Sequence, residues 1–303
     1  PLLTYLTIRV MSEVAAQHDG IDAQRKALAD LVERPAHLYR CLTDLTCAKA
    51  GKAPFGDTTT DEDINMARAL GRDLRRKLRY TAAAVTASGQ EHLSRAEWVR
   101  RLPKELTRIA PDGRRSAEDD PFVKLMISFY FKGGHDEQGL EFAHKSFREY
   151  LFAEHIVETL KEFGGRLQPD LPPRPQPWRN FAREDVRYKL AQTLGELFAP
   201  QWLSNEVVGH LEELLHWEIA RSLSTAENQP KTLAAQIGLP NDSVSLVAWE
   251  AIRDALADLW EWWTDEVHLR PLVEVNDDTG ERRIQPAPAQ LWITKVCASK
   301  GEV

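Results

Sequence analysis

One strip of this chain joins a titratable side chain to a helix start: Phe142-Ala-His-Lys-Ser-Phe-Arg-Glu-Tyr-Leu-Phe-Ala153. From Ser146 to Phe163 the apolar residues recur at helical spacing and predict a long amphipathic helix. Leu140-Glu-Phe142, just before it, is rich in strand formers. His144 therefore stands just ahead of a helix N-terminus. The first backbone N–H groups of a helix lack partners within it, and its dipole favours negative charge, so the ligand this position suits is an anion. The competing reading is a histidine that caps or packs at the junction of hairpin and helix. Lys145 points elsewhere on the helix and is given no role. Phe142, Phe147, Tyr150 and Leu151 read as the core of the closing helix.

Other chemistry finds little support. Nucleotide hydrolysis needs a glycine loop that cradles phosphates, a lysine, and an acidic residue for the metal. The chain contains no Gly-x-x-x-x-Gly-Lys-Ser/Thr; Gly51-Lys52 lacks both the upstream glycine and the hydroxyl residue. Asp61-Glu-Asp63 sits in polar sequence, not at the end of an apolar strand. This chain is thus expected not to hydrolyse nucleotide alone, but to supply the lid of a site whose floor lies elsewhere. Glu141-Phe-Ala-His144 and Glu213-Leu-Leu-His216 share the Glu-x-x-His spacing of di-iron bundles, yet the first crosses a strand-to-helix junction and two further glutamates are needed. His210 and His216 fall on different helix faces, so no metal site is expected. His18-Asp19 and His135-Asp136 are isolated pairs in loops. No Gly-x-Ser-x-Gly elbow occurs, and no catalytic residue is assigned. Cys41, Cys47 and Cys297 form neither a metal spacing nor an even disulfide set, which suits a reducing cytosol.

The elements that would position His144 can be read from periodicity and punctuation. Leu2, Leu3, Leu6, Val10 and Val14 share one helical face behind Pro1, a residue tolerated in a first turn. Residues 1–60 read as a helical domain of two or three helices, one of them carrying His37 to Leu42 after Pro35, with a Gly-, Pro- and Thr-rich loop from Ala50 to Asp63. Residues 61–165 carry a winged-helix pattern. A helix from Ala67 to Ala87 has its apolar spacing at Leu70, Leu74, Leu78 and Ala82 and stops at Ser88-Gly89. Leu93 enters a second helix, with Ser94 and Glu97 as a capping box and Trp98, Val99, Leu102 and Leu106 as its stripe. Gly113 to Asp120 is a polar loop, and Phe122 to Ile127 a short third helix or the lead into a strand. Phe129–Phe131 should pair with Leu140–Phe142 around a glycine-bounded loop. Residues 166–180 are a proline-rich linker. Residues 181–267 form a C-terminal helical domain, with helices at 183–198, 205–222, 231–237 and 243–267. Trp249, Leu256, Leu259, Trp260 and Trp263 give the last of these its core face. Residues 268–303 hold a hairpin, Leu272–Val275 with Arg282–Ile284, and a tail. The fold class expected is mainly α: a helical domain plus a winged helix with a small β-hairpin, followed by a C-terminal helical region.

The 303 residues are 43% hydrophobic and 28% charged, ordinary for a globular protein, and carry a net charge of −7. That balance disfavours a general nucleic-acid binder. The basic runs Arg72 to Arg79 and Arg100 to Lys104 read as solvated helix faces. No apolar run approaches the roughly 20 residues that span a bilayer.

The pattern Phe-x-His-x-Ser-Phe-x-Glu-Tyr-x-x-Ala resembles the end of the winged-helix domain of NACHT-type STAND signalling NTPases. The Pro1-Leu-Leu helix start and the Leu38-Tyr39 helix are similar to the region just after that family's nucleotide core. The likeness is motif-like and covers residues 1 to about 160. It implies that His144 touches the β-phosphate of ADP and that Pro1 packs on the adenine. It also implies ADP or ATP as cofactor, with magnesium, in a core missing from this chain. A chain that starts without Met inside an apolar run is expected to be a fragment of such a protein. The family's switch holds ADP when closed and oligomerises after exchange to ATP. A cytoplasmic location and a part in bacterial antiphage defence follow only by analogy. One alternative is a winged-helix DNA-binding regulator, but Pro121 to Ser128 offers only Lys124 for a groove and follows two aspartates. Another is an interaction scaffold that uses the region beyond residue 180.

Overall fold

The computed structural model describes residues 2–16, 18–50, 61–107, 131–133, 139–142, 144–164, 166, 203–223, 244–265, 272–275 and 282–285, with isolated helical positions between 186 and 197. The chain is mainly α-helical with small antiparallel sheets. Three helices come first: α1 (Leu2–Ala16), α2 (Ile21–Glu33) and α3 (Pro35–Ala50). Gly20, at φ 88°, turns the chain into α2, a left-handed conformation that suits glycine. Val10, Leu31 and Leu42 are buried between these helices.

The 28-residue helix α4 (Asp61–Ser88) follows. It ends where the sequence predicts, at Gly89 with φ 68°. The trio Asp61-Glu-Asp63, expected in a loop, forms the first turn of this helix. Next come β1 (His92–Ser94), α5 (Arg95–Arg101) and α6 (Lys104–Thr107). The capping box forms as expected: the Glu97 amide donates to Ser94 Oγ at 3.2 Å, and the Ser94 amide donates to the Glu97 carboxylate at 3.4 Å.

The hairpin pairs β2 (Phe131–Gly133) with β3 (Gly139–Phe142), placing Phe131 opposite Phe142 and Gly133 opposite Leu140. Phe129 and Tyr130 lie outside the described residues. One expectation is corrected here. Leu93 does not enter a helix but lies on β1, which pairs antiparallel with β3 and sets Leu93 opposite Leu140. Both side chains are fully buried, and three residues are too short to show a period of two. The sheet order is β1–β3–β2.

Helix α7 (Lys145–Gly164) is the centre of the molecule. It packs against α3, α4, α8 (Asn205–Leu223) and α9 (Leu246–Asp265). One hydrophobic core runs through these elements and takes in Leu190 and Leu194 as well. Among the described residues beyond 180, α8 and α9 thus pack on α7, and Leu190 and Leu194 share its core. At its end, a Cβ on Gly164 would stand 2.6 Å from Ile252 Cδ1, so glycine permits the close approach of α9. The terminal strands β4 (Leu272–Val275) and β5 (Arg282–Gln285) pair antiparallel as expected.

Two stripe residues are also corrected. Leu70 is 45% exposed, because the small residues Ala67 and Gly71 occupy the packed face of α4 at that level. Val99 is 48% exposed beside buried Trp98 and Leu102. The linker at 168–178, the third helix at 122–127 and the helix at 231–237 fall outside the described residues. Among the described residues, no helix is long and apolar enough to cross a membrane.

Candidate functional site

His144 is exposed and immediately precedes α7. Its carbonyl accepts the Arg148 amide at 3.3 Å, closing the first helical turn on His144 itself. The strand before it is fixed by the β3 pairings, and the helix after it by the burial of Phe147, Tyr150 and Leu151. His144 is therefore exposed where a buried helix begins. Nearby, Lys145 Nζ lies 3.6 Å from Glu149, and Ser204 Oγ donates to Glu149 at 2.8 Å. Ser204 also accepts the Val207 amide at 3.3 Å, so the start of α8 is tied to the first turn of α7. Pro1, the other residue expected to meet the nucleotide, lies outside the described residues.

Two residues of the Glu-x-x-His and His-His pairs, Glu213 and His210, make structural contacts. Glu213 accepts the Ala36 amide at 3.0 Å and so caps α3 from another helix. Pro35 has no amide to offer in that first turn, which leaves the next one for Glu213. Burial nevertheless holds the Glu213 carboxyl above its ordinary range. His210 is buried edge-on between Tyr39 and Tyr150, at 5.5 and 5.9 Å, and burial pushes it down to about 4. His216 is exposed. Among the described residues, no group of three metal-binding side chains forms. Cys47 is buried, which pushes its thiol up to about 12 and removes it as a nucleophile.

The basic run on α4 is the largest correction. Arg75 and Arg79 are not solvated: they are 1% and 7% exposed. Arg75 Nε donates to both oxygens of Glu154 at 3.1 Å, and its terminal nitrogens donate to Asp44 and Glu154. Tyr150 Oη donates to Glu154 at 2.9 Å. One guanidinium thus joins α3, α4 and α7. Burial opposes charge on Glu154, but Arg75 and the hydrogen bonds hold its carboxyl below the ordinary range. Asp44 shares the same cation less fully, and burial leaves it raised.

One turn further along, Arg79 Nη1 lies 3.1 Å from Glu158 Oε2. Lys161 Nζ donates to Glu158 at 2.6 Å and to Glu218 on α8 at 3.3 Å. His155 packs edge-on against Tyr80 at 4.6 Å; burial and the neighbouring Arg79 push it down to about 3. The sequence did carry a signal for this second layer. Arg75 and Arg79 are four apart, as are Glu154 and Glu158, so each pair shares a helical face.

No family model, no curated protein and no solved structure matches this chain.

Proposed function

We propose that this chain is the regulatory part of a nucleotide-dependent signalling switch of the NACHT-type STAND kind, with His144 reporting the phosphates of ADP held by a separate core. One observation carries the reading. His144 is exposed at the start of α7, and α7 is the helix to which α3, α4, α8 and α9 are all packed. A contact made at His144 therefore acts on a rigid element rather than on a loose loop. On this reading, bound ADP, with magnesium in the core, holds the closed state. Exchange to ATP releases it and permits self-association in the cytoplasm. Pro1 would meet the adenine.

The test uses the protein in which this chain is joined to its nucleotide core. A charged hydrogen bond to phosphate contributes about 1.5–3 kcal/mol, so His144→Ala should weaken ADP affinity by roughly tenfold or more and raise spontaneous activation. The balance of states shifts only by the difference in affinity between closed and open forms. Unchanged ADP affinity would make His144 a structural residue. A glycine-lysine phosphate loop should also be encoded within about 200 residues upstream of Pro1, one domain's length, and its absence there would remove the proposal.

A further inference from the structure

We propose that the cleft between α4 and α7 is a binding site for a small phosphate-bearing ligand, separate from His144. The cleft encloses about 520 Å³ and is bordered by Arg72, Arg76, Arg79, Tyr80, His155 and Lys161. That volume is within the range of ligand pockets, roughly 300–1,000 Å³. Arg72, Arg76 and Arg79 lie on one face of α4 at helical spacing. Guanidinium groups suit phosphate because their donors form a planar fork that meets two oxygens at once.

Arg79 supplies the sharper argument. It is 7% exposed, yet its Nε and Nη1 make no hydrogen bond. Glu158 lies 3.1 Å from Nη1 but is not aligned to accept from it. Unsatisfied buried donors carry a desolvation cost, and Arg79, which borders the cleft, holds two of them. Three carboxylates, Asp73, Glu158 and Glu162, also border the cleft. Each already has a cation: Asp73 pairs with Lys77, Glu158 with Lys161, and Glu162 with Arg166. Lys77 and Arg166 stand outside the lining, as do Glu105, 3.8 Å from Arg76, and Glu218, 3.3 Å from Lys161; the lining itself holds the cations Arg72, Arg76, Arg79 and Lys161 against these three carboxylates, a small positive excess in a chain of net charge −7.

Tyr80 and His155 form an aromatic wall, and Arg76 reaches to 5.7 Å from the Tyr80 ring. His155 is neutral there, so it can donate through one nitrogen and accept through the other. It lies eleven positions after His144, roughly 16 Å along α7 at about 1.5 Å per residue. The two sites are therefore distinct.

The probe is inorganic pyrophosphate, titrated by calorimetry into the full chain, with ADP as a second arm. Wild type should bind pyrophosphate, and the Arg72→Ala/Arg76→Ala variant should lose at least tenfold in affinity. His216→Ala, an exposed residue of α8 outside the cleft lining, should bind it as wild type does. Tighter binding of ADP would assign the wall to a base, and equal binding would restrict the site to the phosphates; both support the site. No binding to folded wild type would overturn the proposal. So would equal affinity in the double arginine variant, or a loss in His216→Ala alone. Arg76 is 45% exposed in its side chain, so Arg76→Gln offers the same test with little risk to the fold and a loss of at least threefold.

Discussion

At the scale of single residues, Arg75 has the most depending on it. A buried ion pair need not add net stability, because desolvating both charges offsets most of their attraction. Removing one partner is another matter, since the other charge is left without compensation. Arg75→Ala would strand Asp44 and Glu154 together at the meeting of three helices. We expect a loss of about 3–5 kcal/mol, measured by urea unfolding. Replacing Arg75 by Met and both Asp44 and Glu154 by Leu should recover most of it, because no charge then remains buried. A single-variant loss below about 1 kcal/mol would show that water reaches the cluster and screens it. His144, by contrast, is exposed, so His144→Ala should leave the unfolding midpoint of this chain nearly unchanged, as surface substitutions usually do. A large loss there would reveal a packing role.

At the scale of elements, what was legible was local. Gly89 stops α4, and Ser94 with Glu97 starts α5, because each device lies within a few residues of the end it serves. The hairpin showed through its glycine-bounded loop. What escaped reading was set by partners far along the chain. The pairing of β1 depends on Leu140, 47 positions from Leu93. The arginines of α4 looked solvated because their carboxylates sit on α7, 79 positions away in the pair Arg75–Glu154. The cap of α3 is the extreme case, since Glu213 reaches Ala36 across 177 positions. Nothing in the sequence around Pro35 announces it. Glu213→Ala should therefore lower stability by about 1 kcal/mol, the usual worth of a helix cap. Glu213→Gln keeps an acceptor and should lose less than half of that, by chemical denaturation. Equal losses would mean that charge, rather than the hydrogen bond, matters at this helix end.

At the scale of the whole molecule, one core links the elements from Ala36 to Leu256, so local protonation is felt in global stability. Three histidines are kept neutral by the fold. His155 is pushed down to about 3 by burial and Arg79, His37 to about 4 by burial and Arg40, and His210 to about 4 by burial. An unfolded histidine takes up its proton near pH 6.5. Above that pH neither state is charged, and the folded form is not penalised. As pH falls below about 6.5, the unfolded chain binds protons that the folded chain refuses, and stability declines until the folded values are reached. Asp44, Glu213 and Glu218 act in the opposite sense, since burial raises their carboxyls and lets the folded state take up protons early. Glu154 opposes them from below the ordinary range. The histidine contribution falls between pH 7 and 5, because the unfolded imidazole takes up its proton inside that window. Each histidine contributes on the order of 1–2 kcal/mol of destabilisation by pH 5. Urea unfolding at pH 7, 6 and 5 should show a falling free energy. His155→Asn should flatten the slope by close to one proton, whatever it does to stability at pH 7. A profile that is level or rising over this range, or a slope that His155→Asn leaves intact, would place water beside these imidazoles in the folded state.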